Sequence, residues 1–182
     1  MLMKKFNLVA ALDPDYLSEL KDLSLTELRA KRDACAQLET GLSYLRRLAQ
    51  ARVDLIIAES ERRLLGLAEQ GPEALVDQLP QILGEHSRGE GPGRMPMSFF
   101  APADGELLKL TARVEEMLPS DQLGSLGALS TVELDELLVG LSNLEHDVSA
   151  ERRALHDIQD HLEEELVRRY RSGEANVDSL LK

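Results

Sequence analysis

The chain has 182 residues and a formal net charge of −12, from 33 acids against 21 bases. That balance argues against direct binding to a nucleic-acid backbone, which wants a basic footprint, and it suits a basic protein partner. Hydrophobic residues make up 43% but aromatics only 3%, with no Trp, so Leu and Ala carry the apolar content and favour helices that meet along narrow seams.

The N-terminal segment, 1–22, opens MLMKKFNLVAALDPD and briefly imitates a signal peptide. Its apolar run FNLVAAL holds an Asn, and Asp13, Pro14 and Asp15 close it without a small-residue cleavage site. Secretion is therefore not expected, no stretch approaches the ~20 apolar residues of a membrane span, and the cytoplasm is the expected compartment. The single cysteine, Cys35, cannot form an intramolecular disulfide or by itself build a thiolate metal site, and is expected to be a small packing residue.

A first long helix is predicted over 23–70. Ser24 and Glu27 form a capping box at its start, and the following stretch of about 40 residues without proline would run on the order of 60 Å. The middle region, 71–128, is less regular. EALVDQLPQILGEH (73–86) reads as a short helix kinked or divided at Pro80. A Gly/Pro-rich linker, 87–105, contains MPMSFF (95–100), whose Met and Phe suit either docking to a partner or folding back over the helices. GELLKLTARVEEML (105–118) is a further amphipathic helix stopped by Pro119. A second long helix, 129–172, opens with the capping box Ser130 and Glu133, and the tail 173–182 is expected to fray.

The two long helices are copies. Set without gaps at an offset of 106 residues, Leu23, Ser24, Glu27, Leu28, Leu38, Glu39, Ser43, Arg46, Arg47, Asp54, Glu59, Arg62 and Arg63 all recur. Within the first copy Glu39, Ser43, Arg46, Gln50 and Asp54 stand at steps of 4, 3, 4 and 4, which places them within an arc of roughly 80° on one helix face. The second copy carries Glu145, Ser149, Arg152, His156 and Asp160 at the same steps, with His156 where the first has Gln50. One residue ahead of this polar row runs an apolar one: Leu38, Leu42, Leu45 and Ala49, then Leu144, Val148 and Leu155, interrupted by Glu151. The pattern is a coiled-coil seam with a polar shoulder. Two helices zipped along these seams would put both shoulders on the rim of one groove, and the connection is long enough for either direction.

The five residue types can read a guanine. Arg offers a planar fork to O6 and N7, or to two phosphate oxygens. A carboxylate accepts from the ring N–H and amino group on the opposite edge, while Ser and an amide bond phosphate or ribose oxygens. Two such rows across a pseudo-two-fold axis would suit a ligand that is itself two-fold symmetric.

The row E-x3-S-x2-R-x3-Q-x3-D resembles the cyclic di-GMP-binding motif of the RsiG family of anti-sigma factors. Glu39, Ser43, Arg46, Gln50 and Asp54 match it in full, and Glu145, Ser149, Arg152 and Asp160 match it with His156 as the departure. The resemblance covers the two long helices and implies the two-motif, single-chain kind of member. It implies an intramolecular antiparallel coiled coil, a dimer of cyclic di-GMP as regulatory ligand, and a complex in which a WhiG-like sporulation sigma factor is held inactive. A monomer is expected when the sigma factor is absent. Arg46 and Arg152 are then the guanine or phosphate anchors and the acids the edge readers. Residues 39–54 sum to +1 and 145–160 to −3 with His neutral, so the repeated Arg47 and Arg153 are candidates to offset the ligand's phosphates. A neutral imidazole at His156 can donate once and accept once, and its protonation in mildly acidic solution removes the acceptor.

The competing readings are blander. The polar row alone is compatible with i,i+3 and i,i+4 partners on a coiled-coil shoulder, and the chain would then be a nucleotide-independent adaptor. Arg62, Arg63, Arg168 and Arg169 sit near helix C-terminal ends, where positive charge complements the dipole. His146, His156 and His161 share a helix with several acids, but none has a Glu three residues before it, as a di-iron bundle wants. GEGPG (89–93) lacks the ending of a phosphate loop. No nucleophile–base pair emerges. The expected architecture is all-α, two long helices in an antiparallel coiled coil plus shorter middle helices. The expected activity is ligand-controlled binding, with no catalytic residues and no metal.

Overall fold

The computed structural model describes residues 7–18, 20–66 and 105–173. Along the chain stand α1 (Leu8–Ala11), short 3-10 segments at Pro14–Leu17 and Leu20–Asp22, α2 (Leu25–Leu64), α3 (Gly105–Met117), a 3-10 segment at Ser120–Ala128 and α4 (Thr131–Ser172). The fold is all-α, an antiparallel pair of long helices with shorter helical elements, and no strand occurs among the described residues. The helix expected over 73–86 and the MPMSFF segment lie outside the described residues.

Both long helices start where their caps require. The Ser24 amide donates to Glu27 Oε2 at 2.8 Å and the Glu27 amide donates back to Ser24 Oγ at 3.2 Å. Ser130 and Glu133 repeat the exchange at 2.7 and 3.2 Å. Each box satisfies donors that the first turn leaves orphaned. α2 stops at Gly66, whose φ of 71° is the left-handed conformation that ends a helix at little cost for glycine.

The first compact unit comprises Met1–Ser43, Pro102–Leu108 and Ser149–Lys182. Within it α2 and α4 run in opposite directions, since Glu39 meets Arg152 while Arg29, further back on α2, meets Tyr170, further on along α4. Leu28, Cys35, Leu38 and Leu42 bury against this seam with Leu155, Leu162 and Leu166. The Tyr16 hydroxyl lies 3.8 Å from Cys35 Sγ, and Lys31 Nζ stands 4.0 Å from the Tyr16 ring centre. Burial pushes the Cys35 thiol and the Tyr16 phenol upward, so both are neutral packing groups here, as expected for Cys35.

The second unit comprises Tyr44–Ala101 and Lys109–Val148. Its helices are antiparallel too: Arg46 meets Glu145, and Arg63 reaches back to Leu129. Leu45, Ala49, Val53 and Ile56 are buried with Leu134, Leu141, Leu144 and Val148. A charge also occupies the seam. Arg52, only 2% exposed, donates from Nε to the Leu118 carbonyl at 2.9 Å, from Nη2 to Ser120 Oγ at 3.1 Å, and pairs with the Glu115 carboxylate. Arg52 therefore pins the end of α3. Its counterpart in the repeat is Ile158. Gly140 makes room for the same corner, because a Cβ there would lie 2.4 Å from Met117 Cε.

Candidate functional site

The ten residues of the two polar rows do not gather by copy. The first unit brings Glu39 and Ser43 of the first row together with Arg152 and His156 of the second. Glu39 Oε1 accepts from Ser43 Oγ at 2.8 Å, stands 3.4 Å from Arg152 Nη1 and 3.3 Å from His156 Nε2. Arg152 Nη1 lies 3.1 Å from the same His156 nitrogen. The imidazole thus faces an acceptor and a donor at one atom, and its tautomer decides which it serves. Ser149 is half-buried and Asp160 exposed on α4.

The second unit makes the reciprocal set. Arg46 Nη1 stands 3.5 Å from Glu145 Oε1, and Gln50 donates to Asp54 Oδ1 at 3.1 Å. Here the rows differ: Asp54 is buried, its counterpart Asp160 exposed. In both units the acid that opens one row faces the arginine of the other.

These ion pairs are loose. Both exceed 3.3 Å, and the arginine side chains are 34% and 31% exposed. Such pairs contribute about 0–1 kcal/mol each. Arg152 Nε, moreover, is buried without a hydrogen-bond partner among the described residues, an unmet donor of a kind that native structures seldom leave. The guanidinium forks keep donors available at half-solvated positions, where planar acceptors can exchange with a carboxylate.

A second repeated polar set is built in the opposite way. Glu59 accepts from Arg62 Nε at 2.9 Å and Arg63 Nε at 2.8 Å; Glu165 accepts from Arg168 Nε at 2.8 Å and Arg169 Nε at 2.7 Å. Both acids are buried. Burial would push the Glu59 carboxyl up, but the hydrogen bonds from Arg62 and Arg63 outweigh it and hold the group below the usual range. Glu165 is held at about 2, chiefly by the Arg168 and then the Arg169 hydrogen bonds. The second arginine of each set then grips the chain leading into the other helix. Arg63 Nη2 donates to the carbonyls of Leu126, Gly127 and Leu129 at 3.1, 3.3 and 2.7 Å. Arg169 donates to those of Leu20 and Lys21 at 2.6 and 3.2 Å, and to that of Leu23. These carbonyls are related by the same 106-residue offset. Dipole complementarity is thus a minor part of what these arginines do. The recurrence of Glu59, Arg62 and Arg63 was the visible signal; the carbonyls they reach have no side-chain signature.

Among the described residues, no group of His, Cys, Asp or Glu side chains is arranged to hold a metal ion, and no helix is long and apolar enough to cross a membrane. The fold and site define a paired-helix protein whose two polar half-sites are each completed across the pair. Residues 14–83 and 120–182 match the RsiG-like family, and the chain belongs to that family. Membership points to an anti-sigma-factor type of function, with a sigma factor as partner and regulation by a ligand in general. A comparison with curated proteins gives no match.

Proposed function

We propose that the chain is a cyclic di-GMP-binding anti-sigma factor that sequesters a WhiG-like sigma factor when the dinucleotide is bound. The supporting observation is the reciprocal pairing of Glu39 with Arg152 and of Arg46 with Glu145, long, half-exposed and repeated. A guanine can take over each pair. The arginine fork turns from the carboxylate to O6 and N7, and the carboxylate accepts from the ring N–H and amino group. Arg152 Nε gains an acceptor in the process. Ser43, Gln50, Asp54, Ser149, His156 and Asp160 supply the remaining contacts to base, ribose and phosphate. The exposed Arg47 and Arg153 offset phosphate charge. Two nucleotides per chain follow from two half-sites.

The chemistry is binding, not turnover. Ligand and sigma factor each raise the other's affinity by the same factor, as linkage demands. The acidic chain, at −12, suits a sigma factor whose DNA-facing surfaces are basic. The test is to titrate cyclic di-GMP into the chain by calorimetry, with and without a WhiG-like sigma factor, beside Arg46→Ala/Arg152→Ala. Ligand-dependent complex formation near two nucleotides per chain, lost in the double variant, is the expected result. No uptake in either setting would leave the nucleotide-independent adaptor as the better reading.

A further inference from the structure

We infer that Arg63 and Arg169 set the register of the paired helices and so act as positioning residues for the two half-sites. The half-site role rests on the reading above; the register role does not. Apolar seam residues repeat at seven-residue intervals: Leu28, Cys35 and Leu42 on α2, Leu155 and Leu162 on α4 in the first unit. The second unit repeats the interval with Ala49 and Ile56 against Leu134, Leu141 and Val148. A slip of one heptad exchanges apolar side chains for apolar ones, so the seam by itself discriminates weakly between registers. The same slip would carry an arginine about 10 Å from its acid. Each half-site therefore depends on something else to hold its two rows level.

The loose half-site pairs are too weak to do so. The buried sets are the remaining polar seam groups common to both units. Glu59 and Arg63, like Glu165 and Arg169, occupy the seam itself, in line with the apolar positions. Polar groups at seam positions fix register at a cost in stability. Each arginine is aimed by its own glutamate at three carbonyls of the segment leading into the opposite helix. Those carbonyls lie just ahead of a capping box, where the helix begins. After a slip, the arginine would keep its own glutamate on Nε, but the Nη donors that reach the carbonyls would be buried without acceptors, which is disfavoured. From Arg169 to Arg152, and from Arg63 to Arg46, runs the same length of helix, about 25 Å. The grip at one end of each unit thus sets where acid and arginine meet.

The experiment uses the full chain with spin labels at Ala36→Cys and Asp157→Cys, both exposed positions of the first unit, in a Cys35→Ala background. Electron–electron distance measurement is made on the otherwise native chain, Arg169→Lys and Arg169→Ala. The unsubstituted register is expected to give one narrow distance. Arg169→Ala should add a second population or a broad distribution and weaken cyclic di-GMP binding tenfold or more. Arg169→Lys, whose point charge cannot span three carbonyls, should fall between them. Should Arg169→Ala fail to fold, Arg169→Lys and Glu165→Gln decide alone. Variants that keep the single narrow distance, whatever their stability, overturn the inference and leave the grip merely structural. If the native chain binds no nucleotide while the variants still shift register, the functional reading fails and the register inference stands.

Discussion

Arg152 Nη1 stands 3.4 Å from Glu39 Oε1, a residue of the opposite helix and of the other copy of the motif. The contact has its repeat partner in Arg46 and Glu145 at 3.5 Å. Neither copy completes the pairing by itself; each lends its acid to the other's arginine. That arrangement follows from antiparallel pairing of two equivalent helices, because parallel pairing would set acid beside acid. The acid–arginine separation along the sequence, seven residues, is two helical turns and matches the seam repeat, which keeps both on one side.

Replacing these acids should separate binding from stability. Glu39→Gln/Glu145→Gln removes two half-exposed ion pairs, so unfolding free energy should change by no more than about 1 kcal/mol per site. Hydrogen bonds to a charged group are worth about 1.5–3 kcal/mol, so nucleotide affinity should fall roughly 10–100-fold per half-site. Urea denaturation and calorimetry on the same variant check both. A large loss of stability with unchanged affinity would mark the pairs as structural.

The buried acids should behave conversely. Glu59→Ala or Glu165→Ala leaves two arginines without their carboxylate in a largely buried setting, and each should cost about 3–5 kcal/mol in urea denaturation. Exposed acids such as Glu61 and Glu163 are the controls and should fall within about 0.5 kcal/mol of the parent.

Much of this was legible from the sequence because a repeat carries its own alignment. Both capping boxes, the seam from Leu38 to Ala49, and the polar row one residue further on were visible as residue types at fixed steps. The antiparallel direction came from the family resemblance; composition and spacing alone left it open. What sequence could not give is any partner that is backbone or that comes from an unrepeated element. Arg52 shows the latter, since its partners Glu115, Leu118 and Ser120 belong to α3 and its exit. Arg63 and Arg169 show the former. The unequal burial of Asp54 and Asp160 was also invisible, because identical residue types at identical steps predict identical surroundings. Nothing in the structure explains why Gln50 has become His156.

Acid should unfold the chain over a defined window. A carboxyl whose folded pKa is depressed contributes stability above its unfolded value, and that contribution is lost as pH falls toward the folded value. Glu165 is held at about 2 by Arg168 and Arg169, and Glu59 is also depressed. Stability measured by urea denaturation should therefore decline as pH falls from about 4.5 to about 2. Glu165→Gln should be less stable at neutral pH and show a shallower decline. A parallel decline in both proteins would show that Glu165 is not a main contributor.

His156 gives the last test, at the one position where the two five-residue rows differ in residue type. Its Nε2 lies between Arg152 Nη1 at 3.1 Å and Glu39 Oε1 at 3.3 Å. Unprotonated at that atom, the ring accepts from Arg152 and competes with a guanine for the same fork. His156→Gln gives the second copy the amide of the first, which can accept from Arg152 and also donate to Glu39. Cyclic di-GMP affinity should therefore stay within about tenfold of the parent in His156→Gln and fall by about tenfold or more in His156→Ala, which leaves neither an acceptor nor a donor at this position. Calorimetry on the two variants checks this. Equal affinities in all three proteins would show that position 156 takes no part in binding.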